Sequence, residues 1–147
     1  MLRKLILPLG ACASLWLAAC QPADPAKADV AACMTLLGGD EDIGSDLADY
    51  GSSLEGYCDC YAATLASSSE AQQDATRRVV AYIGGIRTSG DVSLEEAAQE
   101  IEDIVEGRLE DDSIELTEAQ FEQAGRIIEG VRRDLRDNDG KCSATAS

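Results

Sequence analysis

Between Leu47 and Leu65 the apolar residues Leu47, Tyr50, Leu54, Tyr57, Cys58, Tyr61 and Leu65 recur largely at steps of three and four. That period matches the α-helical turn and gathers these side chains on one buried face. Inside the stripe lies Cys58-Asp59-Cys60. Residues two apart on a helix point about 200° from each other, whereas a disulfide needs its Cβ atoms within about 4 Å. Separate partners therefore suit the two cysteines better than a bond between them, and Cys33 and Cys142 are the candidates. A helix with a buried face and covalent ties leaving it in two directions belongs in the middle of a helical bundle. Its start is ambiguous: Ser45 could cap it, but Ser52-Ser53-Leu54-Glu55, just after Gly51, has the form of a capping box.

The flanking segments carry the same signature. Asp24 followed by Pro25 opens a short helix that places Val30, Cys33, Met34 and Leu37 on one side, and Gly38-Gly39 ends it before an acidic turn, Asp40-Glu41-Asp42. Ser67-Ser68-Ser69 leads into a helix over Glu70 to Thr88 that buries Ala75, Val79, Ile83 and Ile86. Gly84-Gly85 lies within it and costs about 2 kcal/mol of intrinsic propensity relative to alanine, so close packing or a break is expected there. Ser89-Gly90-Asp91 is the next turn. Ser93-Leu94-Glu95-Glu96 and Thr117-Glu118-Ala119-Gln120 are further capping boxes. The first begins an apolar face of Leu94, Ala97, Ala98, Ile101, Ile104, Val105 and Leu109. The second begins one of Phe121, Ala124, Ile127, Ile128, Val131 and Leu135, with Leu116 and Phe121 spaced as a hydrophobic staple. Glu122 with Arg126 and Glu129 with Arg133 form i,i+4 pairs, and the Arg132, Arg133 and Arg136 cluster is expected against the acidic helix before it. No internal repeat and no persistent strand pattern occurs; Ser113 to Leu116 is one short extended piece at most. The expected fold is all-α, a small bundle of four to five helices braced by disulfides.

The N-terminus reads as an export signal. Arg3 and Lys4 form a positive n-region, Leu5 to Leu17 is an uncharged apolar run, and Ala18-Ala19 supplies small residues for cleavage. The run is short for a membrane span, contains Pro8 and Gly10, and no basic cluster follows it. Leu17-Ala18-Ala19-Cys20 resembles the lipobox of bacterial lipoproteins. An alternative string, Leu9-Gly10-Ala11-Cys12, has only Leu5 to Leu9 before it, less core than a signal needs. An ordinary secretory signal cut after Ala19 is the main competitor and would leave Cys20 a free thiol.

The resemblance implies that Cys20 carries a diacylglyceryl group with fatty chains such as palmitate, and that residues 1–19 are removed. One acyl chain binds a bilayer only reversibly, whereas two or more hold it stably. In Gram-negative lipoproteins an Asp after the cysteine favours inner-membrane retention; Gln21 stands there instead, which points to the outer membrane, on its periplasmic face. The implied organisation is a signal peptide over 1–19, a lipidated tether over 20–27, a helical domain over 28–142 and a disordered tail over 143–147.

Cleavage before Cys20 would remove 19 of 147 residues and leave 128, enough chain for one domain with a real core. Because Arg3 and Lys4 go and no acid does, net charge would move from −16 to −18. Nucleic acid, bound through Lys and Arg on phosphates, is excluded as a partner, and anionic membrane faces are disfavoured. The absence of histidine removes the commonest general base and metal ligand. With Cys20 acylated, Cys33, Cys58, Cys60 and Cys142 remain, an even number suited to two disulfides in an oxidising compartment, with three possible connectivities.

Other chemistry is poorly supported. The C-x-C spacing does not suit a Cys₄ zinc site. Copper(I) ligation by Cys58, Cys60 and Met34 needs free thiols, and Asp59 and Glu55 put the wrong charge beside a redox cysteine. The acids between Glu95 and Asp112 fall mostly on a solvated face, with no isolated pair of the kind carboxylate hydrolysis uses. Asp137-Asn138-Asp139-Gly140 looks like the start of a calcium loop, but Leu135 and Ala146 occupy the first and twelfth positions. The expected protein is a non-enzymatic envelope lipoprotein without cofactor, metal or catalytic residues. Its partners are the lipid bilayer, through acylated Cys20, and an envelope protein. The alternative is a thiol-redox or metal-binding protein using Cys33, Cys58, Cys60 and Cys142.

Overall fold

The computed structural model describes residues 24–145; the lipobox-like string Leu17-Ala18-Ala19-Cys20 and Cys12 lie outside them. The described residues contain six α-helices and no strand: α1 (Pro25–Leu37), α2 (Glu41–Asp49), α3 (Leu54–Ala66), α4 (Glu70–Gly90), α5 (Leu94–Val105) and α6 (Glu118–Asp137). A 3₁₀ turn over Ser143–Thr145 follows. The all-α, disulfide-braced bundle is present, with one helix more than the four to five expected.

The extra helix is α2. Asp40-Glu41-Asp42 is not a turn but a helix start, in which the Asp40 carboxylate accepts from the Ile43 N–H at 3.1 Å. Glu41 and Asp42 then occupy the first turn, where the helix dipole favours negative charge. The stripe from Leu47 to Leu65 is therefore divided between two helices. Gly51 turns the chain at φ +75°, and Ser53 begins α3 by accepting from the Gly56 N–H at 3.1 Å. Ser45 lies inside α2 and caps nothing.

The remaining starts follow the local chemistry of their caps. Asp24 caps α1 with Pro25 in the first turn. Ser69 with Gln72, Ser93 with Glu96 and Thr117 with Gln120 close reciprocal boxes on α4, α5 and α6. The hydrogen bonds from Ser93 hold the Glu96 carboxyl below its ordinary range. α4 runs unbroken through Gly84-Gly85, and Gly84 is where α1 comes close: a Cβ there would stand 3.9 Å from Leu36 Cδ1. α5 stops at Val105, and Arg108 folds back onto Asp103 and Glu106. Leu109 is consequently exposed rather than part of the α5 face. Two further boundaries differ from expectation: helix begins at Pro25, inside the span assigned to the tether, and Ser143–Thr145 is structured although assigned to a disordered tail.

α3 packs against α1, α2, α4, α6 and the C-terminal turn, and α4 against α1, α5 and α6. The core contains Leu47, Tyr57, Cys58, Cys60, Tyr61, Leu65, Val79, Ile83, Ala97, Ile101, Ala124, Val131 and Leu135. On α1 the buried face is Cys33, Leu36 and Leu37, and Met34 is turned outward. No ion pair joins an arginine of α6 to α5 among the described residues. Arg132 pairs with Asp46 of α2 at 3.1 Å and Arg136 with Glu129 of its own helix at 3.7 Å. The expected Glu122–Arg126 pair forms at 3.3 Å.

Candidate functional site

Because α3 is central, its two cysteines leave it toward different neighbours. Cys58 is bonded to Cys33 on α1 and Cys60 to Cys142 beyond α6, with Cα–Cα distances of 5.5 and 5.4 Å. Cys58 and Cys60 are both wholly buried. Asp134 completes the second bridge's surroundings: one carboxylate oxygen lies 3.7 Å from Cys60 Sγ, and Cys60, Cys142 and Asp134 place their ligand atoms within 4.8 Å of one another. That carboxylate already accepts from the Ser143 N–H at 2.8 Å, the Ser143 hydroxyl at 2.7 Å and the Asn138 amide at 2.9 Å. With both sulfurs bonded and the oxygens satisfied, the group ties the C-terminal turn to α6. Ligation or thiol chemistry at Cys33, Cys58, Cys60 or Cys142 would require opening a disulfide first.

Among the concave features of the described residues, two that lie away from the disulfides combine an apolar lining with charged groups. A cleft of about 490 Å³ opens between α2, α5 and α6. Leu47, Tyr50, Tyr57, Leu94, Ala98 and Ile128 line it on the apolar side, and Asp40, Asp42, Asp46, Glu95 and Arg132 are its charged residues. Tyr57 is held by burial; its hydroxyl donates to the Ile128 carbonyl at 3.4 Å, and burial pushes its phenol well above the ordinary 10.0. Arg132 stands at the rim, paired with Asp46 at 3.1 Å, and its neighbour Tyr50 raises its pKa. The second feature, about 640 Å³, runs along α1 and α4 and is floored by Ala28, Ala32, Leu36, Val80, Ala81 and Gly84. One end holds Asp29, which is 5% exposed and takes a bidentate bond from Arg77 at 2.8 and 2.9 Å.

None of the residues that line the cleft was singled out from the sequence as a site. Most of its apolar lining reads as ordinary core, Asp40 and Asp42 as a turn, and Glu95 as part of a solvated face. Asp29 had a legible signal: it stands four residues before Cys33 and seven before Leu36, in register with the buried face of α1. A carboxylate in that register demands a cation from a neighbouring helix, which Arg77 supplies. No helix among the described residues is long and apolar enough to cross a membrane. No protein-family model, curated protein or solved structure matches the chain.

Proposed function

We propose that the protein is a lipid-anchored component of the bacterial envelope that works by binding through its helical surface rather than by catalysis. The observation that carries this reading is Leu17-Ala18-Ala19-Cys20 behind a charged and then apolar N-terminus. The cysteine arithmetic supports it: the two disulfides use Cys33, Cys58, Cys60 and Cys142 and make no call on Cys20. Acyl chains there would hold the domain at a bilayer by about 0.8 kcal/mol per buried methylene. α1 begins five residues later, so the domain would stand close to the headgroups. Gln21 stands where an Asp would favour inner-membrane retention, which supports an anchor in the outer membrane, on its periplasmic face.

The test is the intact mass of the membrane-extracted chain, together with fractionation of Cys20→Ser. The expected mature chain begins at Cys20, carries acyl chains and contains two disulfides, and the variant leaves the lipidated membrane fraction. A wild-type chain that is water-soluble and without acyl mass overturns the proposal. The thiol or metal reading has one observation in its favour, the carboxylate of Asp134 beside the Cys60–Cys142 bridge. Free-thiol titration of envelope-isolated protein decides it, since a redox or metal role needs reactive sulfur.

A further inference from the structure

The cleft between α2, α5 and α6 has a charge preference set by which of its groups are already engaged. Asp46 is paired with Arg132, and Asp40 is occupied in capping α2. Asp42 and Glu95 are exposed, one on each helix, and neither makes a side-chain hydrogen bond or ion pair among the described residues. The first N–H groups of α2 and α5 would ordinarily attract an anion. Here the side chains of Asp40 and Ser93 already occupy one in each helix. An anionic ligand would meet Asp40, Asp42, Asp46 and Glu95 against the single guanidinium of Arg132. A cationic one meets open carboxylates above a floor of Leu47, Tyr50, Tyr57 and Ile128, where tyrosine faces also favour positive charge.

Its size lies within the range of about 300–1,000 Å³ usual for ligand sites, room for a few side chains rather than a whole helix. Because the two open acids sit on separate helices beside one apolar floor, the complementary object is a chain with positive charges on either side of an apolar group. We infer that the cleft docks a basic segment of a partner protein, anchored by one large apolar side chain on the tyrosine-lined floor and by lysine or arginine against Asp42 and Glu95. The net charge of −16 would steer such a segment toward the domain. This inference rests on the reading of the protein as a surface binder and is independent of the anchor at Cys20.

The full chain in neutral detergent is titrated calorimetrically, with a detergent blank subtracted, against a synthetic peptide carrying tryptophan flanked by lysines. Two controls accompany it: the same peptide with glutamate for lysine, and a lysine peptide without tryptophan. Binding of the first peptide alone, weakened by added salt, is expected. Asp42→Asn with Glu95→Gln should weaken it about tenfold, and Ala98→Trp, which fills the cleft, should abolish it. Glu110→Gln with Asp112→Asn, acids that do not line the cleft, should leave it unchanged. Circular dichroism checks that each variant keeps its helices, and the Asp42 and Glu95 pair decides the matter if Ala98→Trp does not. No binding of the tryptophan–lysine peptide, equal binding of the lysine-only peptide, or equal loss in the Glu110 and Asp112 pair would each overturn the inference. Fractionation of Cys20→Ser reads the anchor alone, so the two results are separable.

Discussion

At Gly140 the backbone runs at φ +77°, and a Cβ added there would stand 2.5 Å from the carbonyl oxygen of Gly51 and 2.8 Å from that of Tyr50. Both neighbours are backbone in the turn between α2 and α3, which cannot yield without moving two helices. Gly39 has nearly the same φ, +78°, but nothing lies within 4 Å of its added Cβ. The pair separates conformational strain from steric overlap. Gly39→Ala should cost about 1 kcal/mol from the left-handed backbone alone, and Gly140→Ala about 2–4 kcal/mol because crowding is added. Urea unfolding midpoints of the two variants test this; equal losses would show that the α2–α3 turn is not packed on Gly140. Asn138-Asp139-Gly140 is legible in the sequence as a turn. The turn it packs against lies about ninety residues earlier, a pairing that only the disulfide and helix packing create.

On the scale of elements, most starts are legible in the sequence, the α2 start at Asp40 excepted. The Ser93 and Thr117 boxes mark α5 and α6 because every group involved lies within one turn. The Leu47 to Leu65 stripe leaves the start of its helix open between Ser45 and Ser52-Ser53, because apolar period continues across Gly51: Leu47 and Leu54 both pack on the same core. Conversely, Gly84-Gly85 reads as a weak point, yet α4 continues because α1 packs closely there. α3 also makes a pH prediction. Burial raises the phenol of Tyr57, and burial together with Asp29 pushes Tyr61 up to about 12 from 10.0, although Arg77 opposes it. Both folded-state values exceed the unfolded one, so the folded chain keeps protons that the unfolded chain releases. Their contribution is present in full below the unfolded value of 10.0 and is lost as pH rises toward about 12 for Tyr61 and higher for Tyr57. Between about pH 9 and about pH 11.5 the protein should lose about 1–2 kcal/mol per tyrosine. Tyr57→Phe with Tyr61→Phe should flatten that fall. A double variant whose denaturation midpoint falls as steeply as the parent's would place the alkaline sensitivity elsewhere.

The whole molecule is held at two lengths by its disulfides. Cys33–Cys58 spans 25 residues and fastens α1 to α3; Cys60–Cys142 spans 82 and fastens the chain's far end to the same helix. Cross-links stabilise chiefly by restricting the unfolded chain, more so for longer loops. Replacing Cys33 and Cys58 by serine should cost about 3.5 kcal/mol, and replacing Cys60 and Cys142 about 4.5 kcal/mol. Paired denaturation curves check the order, and a larger loss from the shorter loop would show that the folded state, not loop closure, sets the difference. The sequence by itself determined the helical class, most helix starts and the preference of Cys58 and Cys60 for separate partners. Each follows from contacts spanning a few residues, where backbone geometry is known in advance. Tertiary structure alone decided which cysteine met which, placed Arg77 beside Asp29, sent Arg132 to α2 and opened a cleft between three helices. Those outcomes depend on how helices cross after long loops close, and crossing is set by the fit of whole faces rather than by any local pattern.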